Sequence, residues 1–439
     1  MDHLNPVIKY WFIICLLTCS IISVFSQSEE PALPLKILLL DDRFEELLQV
    51  TDTMEVADSL MDQVYYFRGR AYQSLLNYDS AYHYYHLAYQ VDSSNLSFRI
   101  AMGTMMYRLG RIREGIEIYE AIVAEFPPHD QYLAELANLY SIRKEYAKSL
   151  AIYKGLLEKD SLNYYYAKQA GKNFLDMNQL DSAIHYYEYA FDLNQRDVFL
   201  AHLLGNLHFR KQDMPTAINV VSIGLTYDSS NLDLLKLRGY LYLHFGMNGL
   251  AVTDLKKAWL QDSLSVFTNK YLGMSYYEDK RFDEARRTLM EAFRLDSLDA
   301  ETAFFLGNAC RGSRYEEKGV GYYLKSIELR QPDPRIIKDT YIQLAELYKV
   351  LHRFDEAFEA YDMALEYDPT DNTIYFKIAQ TYDRNLNQKK TAINYYEKFL
   401  SGGNTDQQLF DAEKGRSTAL EQHVRERINR LKEDLFFEE

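Results

Sequence analysis

At 439 residues the chain is too long for one compact core, and length alone predicts two or three domains. A hydrophobic content of 47% excludes general disorder, and the scarcity of Pro (9) and Gly (19) disfavours a loop-rich or all-β chain. A formal charge of −15 excludes nucleic acid as a partner, since phosphate binding needs clustered Lys and Arg; the charge suits solubility instead.

The chain opens on Lys9 followed by an apolar run from Tyr10 to Phe25. The run is shorter than the roughly 20 residues a membrane-crossing helix needs. Val24 and Ser26 are small enough for the −3 and −1 sites of signal peptidase, so residues 1–26 read as a signal peptide with a mature start near Gln27. Cys19 faintly suggests a lipid-attachment box, but Thr18 before it and the apolar sequence after it argue against one. Cleavage leaves Cys310 as the single cysteine, which cannot form an internal disulfide. An exported chain of this size without disulfides fits a bacterial periplasm, with no membrane insertion once the signal is removed. The other reading is an inner-membrane anchor through an uncleaved N-terminal segment.

Residues 27–61 follow as a helical cap. Leu38 to Leu40, Phe44, Leu47, Leu48, Ala57 and Leu60 form a degenerate leading helix pair.

From residue 62 the sequence keeps time. Gly69, Gly103, Gly171, Gly205, Gly239, Gly273 and Gly307 share a spacing of 34, with Ala137 in the one skipped slot. Twelve residues after each comes a second small residue: Ala81, Gly115, Ser149, Ala183, Ala217, Ala251, Ala285 and Gly319. Aromatics keep the same beat. Tyr72, Tyr140, Phe174, Tyr242 and Tyr276 lie three after the first small site; Tyr85, Tyr119, Tyr153, Tyr187 and Tyr323 lie four after the second. A small residue lets one helix approach another, and a ring one turn later is expected to fill the gap beside it. Such a helix pair cannot bury its apolar face alone and must stack on the next. Apolar spacings of three and four, rather than two, exclude strands. Asp92 to Asn95, Asp160 to Asn163, Asp228 to Asn231 and Asp296 to Asp299 punctuate the units as turns whose last residue caps the following helix.

These residues resemble the tetratricopeptide repeat family, of the exported bacterial type. The closest copy of the family pattern spans 338–371, with Leu344, Ala345, Tyr348, Ala357, Tyr361, Ala364 and Pro369 in place. The resemblance implies an all-α fold: a right-handed superhelical solenoid of stacked antiparallel helix pairs with helical caps. About ten units fill a solenoid over 62–405: 62–95, 96–129, 130–163, 164–197, 198–231, 232–265, 266–299, 300–333, 338–371 and 372–405. A four-residue insertion around Pro334 precedes the ninth, and the tenth needs one extra residue in its internal turn. Residues 406–439 read as a C-terminal capping helix, opened by a capping box of Thr418 and Glu421. Its apolar stripe is Leu420, Val424, Ile428, Leu431 and Leu435.

Chemistry is harder to find. Phosphate-binding loops, HExxH and paired CxxC are absent. His83 and His86 are three apart on a helix, yet they sit among tyrosines without a third ligand. Cys310 takes an inward aromatic position and reads as a buried structural thiol. The expectation is therefore a protein that is not an enzyme and holds no cofactor or metal.

The family resemblance implies that function lies in the concave groove lined by the first helix of each unit. Carrying the family's second, fifth and ninth positions onto units four to seven selects Tyr165, Lys168, Lys172, Phe199, His202, Asn206, Lys236, Tyr240, Phe267 and Lys270. Lysines and rings on one face of an acidic protein suit a partner protein or an extended peptide carrying carboxylates. The Lys and Asn set of the family's chaperone-type carboxylate clamp is missing. The expected function is a protein–protein interaction scaffold. The alternative is a structural subunit of an envelope or secretion assembly, contacting partners through its convex face and caps. Finally, triplets such as Asp79-Ser80-Ala81, Asp160-Ser161-Leu162, Asp262-Ser263-Leu264 and Asp296-Ser297-Leu298 are similar to the O-glycosylation acceptor of some exported bacterial proteins, so O-glycosylation is possible in principle at these turns.

Overall fold

A computed structural model describes residues 33–54, 60–329, 334–406 and 419–438. The signal segment, Ala57 and Thr418 lie outside the described residues. Within them the chain forms 23 helices and no strand. Two compact units emerge, one up to Leu200 and one from Ala201.

Within each unit helices that follow one another in sequence pack together, giving successive antiparallel pairs such as Met61–Ser74 with Tyr78–Val91 and Val266–Glu278 with Phe282–Leu295. The physical reason lies in the small residues. A Cβ built on Gly69 would stand 2.6 Å from the ring of Tyr85; on Gly103, 2.7 Å from Tyr119; on Gly171, 2.8 Å from Tyr187; on Gly307, 2.7 Å from Tyr323. Where the partner is aliphatic the approach is equally close, 2.5 Å for Gly239 against Leu255 and 2.6 Å for Gly273 against Leu289. Each partner lies 16 residues on, in the second helix of the same pair. Tyr85, Tyr153, Tyr323 and Tyr361 are fully buried at these places. The gap beside each small residue is thus filled from the facing helix. The ring one turn later on the same helix, expected to fill it, has another place.

Tyr72 and Phe174 stack their rings on Tyr84 and Tyr186, at 5.3 and 5.2 Å, while their backbone closes the turn. Leu76, Gly110, Lys144, Asn178, Gln212, Gly246, Lys280 and Arg314 all have positive φ, from 57° to 78°. Their spacing is 34, and each ends the first helix of a pair in a Schellman motif. The next N–H reaches back five residues: Asn77 to the Tyr72 carbonyl, Glu145 to Tyr140, Gln179 to Phe174, Met247 to Tyr242 and Arg281 to Tyr276. The aromatic register therefore marks the residue whose carbonyl closes each turn. Between pairs, the Asn95, Asn231 and Asp299 side chains accept from N–H groups of the helix that follows. Asn163 does not; its amide donates to Asp160 instead.

The first unit begins with the helices Leu33–Leu40 and Phe44–Thr53, whose Leu35, Leu38, Leu47 and Val50 share a core with Val64 and Ala71 of the first pair. The second unit ends with Ala419–Glu438, which lays Val424, Ile428 and Leu431 on Ala379, Ala392, Ile393 and Tyr396. Leu420 stays exposed. Arg427 fastens this helix by donating to both oxygens of the buried Asp383, at 2.9 and 2.7 Å.

Glu346 ties three helices of the second unit. It accepts from the Tyr361 hydroxyl (2.7 Å), Lys349 (3.1 Å) and Lys377 (3.0 Å). Burial alone would raise its pKa, but the hydroxyl and the two ammoniums outweigh it and hold the carboxyl at about 2, against an ordinary 4.5. A carboxyl depressed on folding contributes fully above its ordinary pKa, and the contribution is lost as pH falls towards the folded value. Urea midpoints of the native chain are therefore expected to drop between about pH 5 and pH 2 more steeply than those of Glu346→Gln. Parallel curves for the two proteins would contradict the assignment.

Candidate functional site: the first-helix face

First helices of successive pairs lie side by side in the second unit, with Leu232–His244 against Val266–Glu278 and Val266–Glu278 against Ala300–Gly312. Residues at corresponding positions therefore form rows across the helices. Tyr240 is the hub of one such row. Its ring centroid lies 4.3 Å from His244, 4.8 Å from Tyr271, 5.4 Å from Phe209 and 6.0 Å from Phe267. Phe267 and Tyr271 are 4.5 Å apart. Phe267 is 39% exposed, so the cluster presents ring surface to solvent without being buried by the chain itself. Burial lowers the His244 pKa, only partly offset by Glu301, so near neutral pH the imidazole serves as an uncharged ring.

Tyr240 and Phe267 were selected by position from the sequence; Phe209, His244 and Tyr271 were not. The signal was present, since His244 follows Tyr240 by four residues and Tyr271 follows Phe267 by four, the spacing of one helix face. His202 and Asn206 sit nearby in sequence but pair locally, the Asn206 amide donating to the His202 carbonyl at 3.0 Å.

The lysines differ from the expectation of a positive face. Lys270 holds Asp299 and Glu301, both at 2.7 Å, and Lys236 lies 3.6 Å from Asp262. Burial would lower the Lys270 pKa, but its two carboxylate partners raise it; burial would raise the Asp299 pKa, but Lys270 and the Thr302 hydroxyl hold it below the usual carboxylate range. Asp262 and Asp299 come from the turn that closes the lysine's own repeat, and Glu301 from the first turn of the next helix. These pairs neutralise the charge meant to draw a carboxylate.

The first unit places Tyr165, Lys168, Lys172 and Phe199 in a simpler arrangement. Lys168 bonds Asp197 at 2.5 Å and lies 5.4 Å from the Phe199 ring. Phe199 is 66% exposed, Lys172 is exposed, and Tyr165 meets the buried Tyr153 edge-on at 6.4 Å.

Other candidates resolve into structure. His86 stacks on Tyr82 and Tyr89, and His83 meets Tyr84 edge-on. Among the described residues no group of three His, Cys, Asp or Glu side chains could hold a metal ion, and no helix is long and apolar enough to cross a membrane. Cys310 is 1% exposed; burial pushes its thiol up to about 11 despite Arg286 and Lys318 nearby.

A tetratricopeptide repeat family model matches residues 339–371 and 373–401. Over 336 residues the chain is 20% identical to the BBSome complex member BBS4 of Bos taurus, an alignment covering 69% of this chain and 64% of that one. It is 22% identical over 310 residues to the RNA polymerase-associated protein CTR9 of Caenorhabditis elegans, covering 68% of this chain and 25% of that one. The chain thus spans less than two thirds of either relative. Among solved structures, the C-terminal part of a repeat-containing protein from Cytophaga hutchinsonii is 20% identical with a TM-score of 0.43, covering 56% of this chain and 98% of that one. The Cut9–Hcn1 hetero-tetramer has a chain 14% identical with a TM-score of 0.42, covering 95% and 86%.

Proposed function

We propose that this tetratricopeptide-repeat chain is a non-catalytic interaction scaffold that holds a partner protein or extended peptide against its first-helix face. The observation that carries the reading is the half-exposed cluster around Tyr240. A stacked set of rings offers large contact area at little entropic cost, which is how interface anchors work. Because Lys236 and Lys270 already hold acids, the favoured ligand places an apolar or aromatic side chain on the rings rather than a carboxylate on the lysines. The bovine relative is itself a member of a complex, which supports the reading. The apolar run from Tyr10 to Phe25 supports export to the periplasm as the setting. Turn residues Ser161, Ser263 and Ser297 are exposed, so glycosylation of these triplets is sterically open.

The test is quantitative capture of partners from the native envelope by the intact chain and by Tyr240→Ala/Phe267→Ala. Anchors of this kind cost about 2 kcal/mol or more each when truncated, so capture is expected to fall at least tenfold with helicity unchanged. An unchanged partner set would remove the reading and favour a structural subunit that uses its caps and second helices.

A further inference from the structure

The second helices of the second unit carry a separate feature. A cavity of about 460 Å³ opens between Phe282–Leu295 and Glu316–Leu329. Leu306 and Cys310, from the first helix between them, form its floor, and Phe293 and Tyr322, with ring centroids 5.8 Å apart, line its side. Arg286, Lys318 and Lys325 stand around it, and no carboxylate contributes to the lining.

The slot belongs to the repeat, but its charge does not. In the first unit the equivalent slot, 204 residues earlier or six repeats of 34, has Tyr82 in place of Arg286, Glu114 in place of Lys318 and Glu117 in place of Gly321. The slot thus sets Glu114 and Glu117 beside Arg99 in the first unit, and carries cations with no acid in the second, within a chain of net charge −15.

Two of the cations are poorly answered. The Arg286 Nε is buried with no hydrogen-bond partner among the described residues, and the nearest Asp283 oxygen is 3.8 Å from its Nη2. The Arg286 guanidinium and the Lys318 ammonium share one tyrosine, Tyr315, at 4.1 and 5.6 Å from its ring. Lys318 has no ion pair among the described residues, while Lys325 is held by Glu328 at 2.9 Å.

We propose that this cavity binds a small amphiphilic carboxylate. Its apolar body rests on Leu306, Phe293 and Tyr322, and its carboxylate meets Arg286 and Lys318. The volume falls in the range of small-molecule sites, and the lining has their character, an apolar bed with a few convergent polar groups. A hydrophilic polyanion would leave the bed uncovered. The site lies on second helices and stands or falls independently of the Tyr240 face.

Calorimetric titration of the full chain with dodecanoate, kept below its micelle concentration, tests the assignment. One molecule is expected per chain. Lys318→Glu reverses an exposed cation, and Gly321→Leu fills the opening, since a Cβ at Gly321 meets nothing within 4 Å and the helix has no reason to shift. Each variant should weaken binding at least tenfold with helicity and thermal midpoint unchanged, and dodecanol should bind at least tenfold more weakly than dodecanoate. Absence of binding to the native chain, equal binding by both variants, or equal affinity for the alcohol would each overturn the proposal.

Discussion

Gly307→Leu is expected to unfold its repeat under conditions where the native chain is intact. A single Cβ at this position already stands 2.7 Å from two atoms of the Tyr323 ring, and Tyr323 is fully buried with its hydroxyl bonded to Asn308 at 2.6 Å. The ring is rigid and its far end is tethered, so neither residue can yield without opening the helix pair. Overpacking of one methylene costs about 1–3 kcal/mol, and three further carbons should exceed that range. Because each repeat contacts only its neighbours, the damage should be local first. Hydrogen exchange is predicted to accelerate in Ala300–Gly312 and Glu316–Leu329 before it does in Met61–Ser74. Uniform protection in both regions would contradict this.

Arg238→Met carries the second large effect. Arg238 donates to Asp254 through Nε at 2.6 Å and Nη2 at 3.0 Å, and to the Ser222 hydroxyl at 3.1 Å. The Asp254 side chain is only 3% exposed. Removing the guanidinium strands a buried carboxylate, which costs about 3–5 kcal/mol. Replacing both partners by apolar residues is often nearly neutral. Arg238→Met/Asp254→Leu should therefore recover most of the denaturant midpoint that Arg238→Met loses. A double variant as unstable as the single one would show that the pair contributes through something other than its charges.

The fold class was legible because packing forces a residue type at fixed intervals. A helix pair that closes to van der Waals contact needs Gly or Ala at one place per repeat, and Gly69, Gly103, Gly171 and Gly307 announce it. What filled the space was less legible. Tyr72 and Tyr85 both keep the beat, and nothing in one strand of letters says which ring faces Gly69; only the antiparallel return of the chain brings Tyr85 there. The positive-φ turns stayed hidden for a different reason. Leu76, Lys144, Gln212 and Arg314 share a backbone conformation but no common side-chain chemistry, and only Gly110, Gly246 and Asn178 hinted at it.

The candidate site was half legible. Positions along a first helix can be chosen from the repeat register, which led to Tyr240 and Phe267. Their neighbours Tyr271 and His244 needed the further step of following the helix face by one turn. The lysines misled because their acids sit in the turn that closes the repeat, far along the chain: Asp197 is 29 residues beyond Lys168, and Asp299 is 29 beyond Lys270. A formal charge in a repeat protein has to be read against the turn that follows it.

A double-mutant cycle between Gly307 and Tyr323 tests most directly whether the small residue exists to seat the side chain 16 places on. With Tyr323 present, Gly307→Ala should destabilise by about 1–3 kcal/mol through overpacking, with the native Ala137 and Tyr153 pair showing that a repeat can adjust to one methyl. In the Tyr323→Ala background the same change should become neutral or stabilising by up to about 1 kcal/mol, since only the better helix propensity of Ala remains. A cost for Gly307→Ala that agrees in the two backgrounds within about 0.5 kcal/mol would contradict the packing rule from which the rest follows.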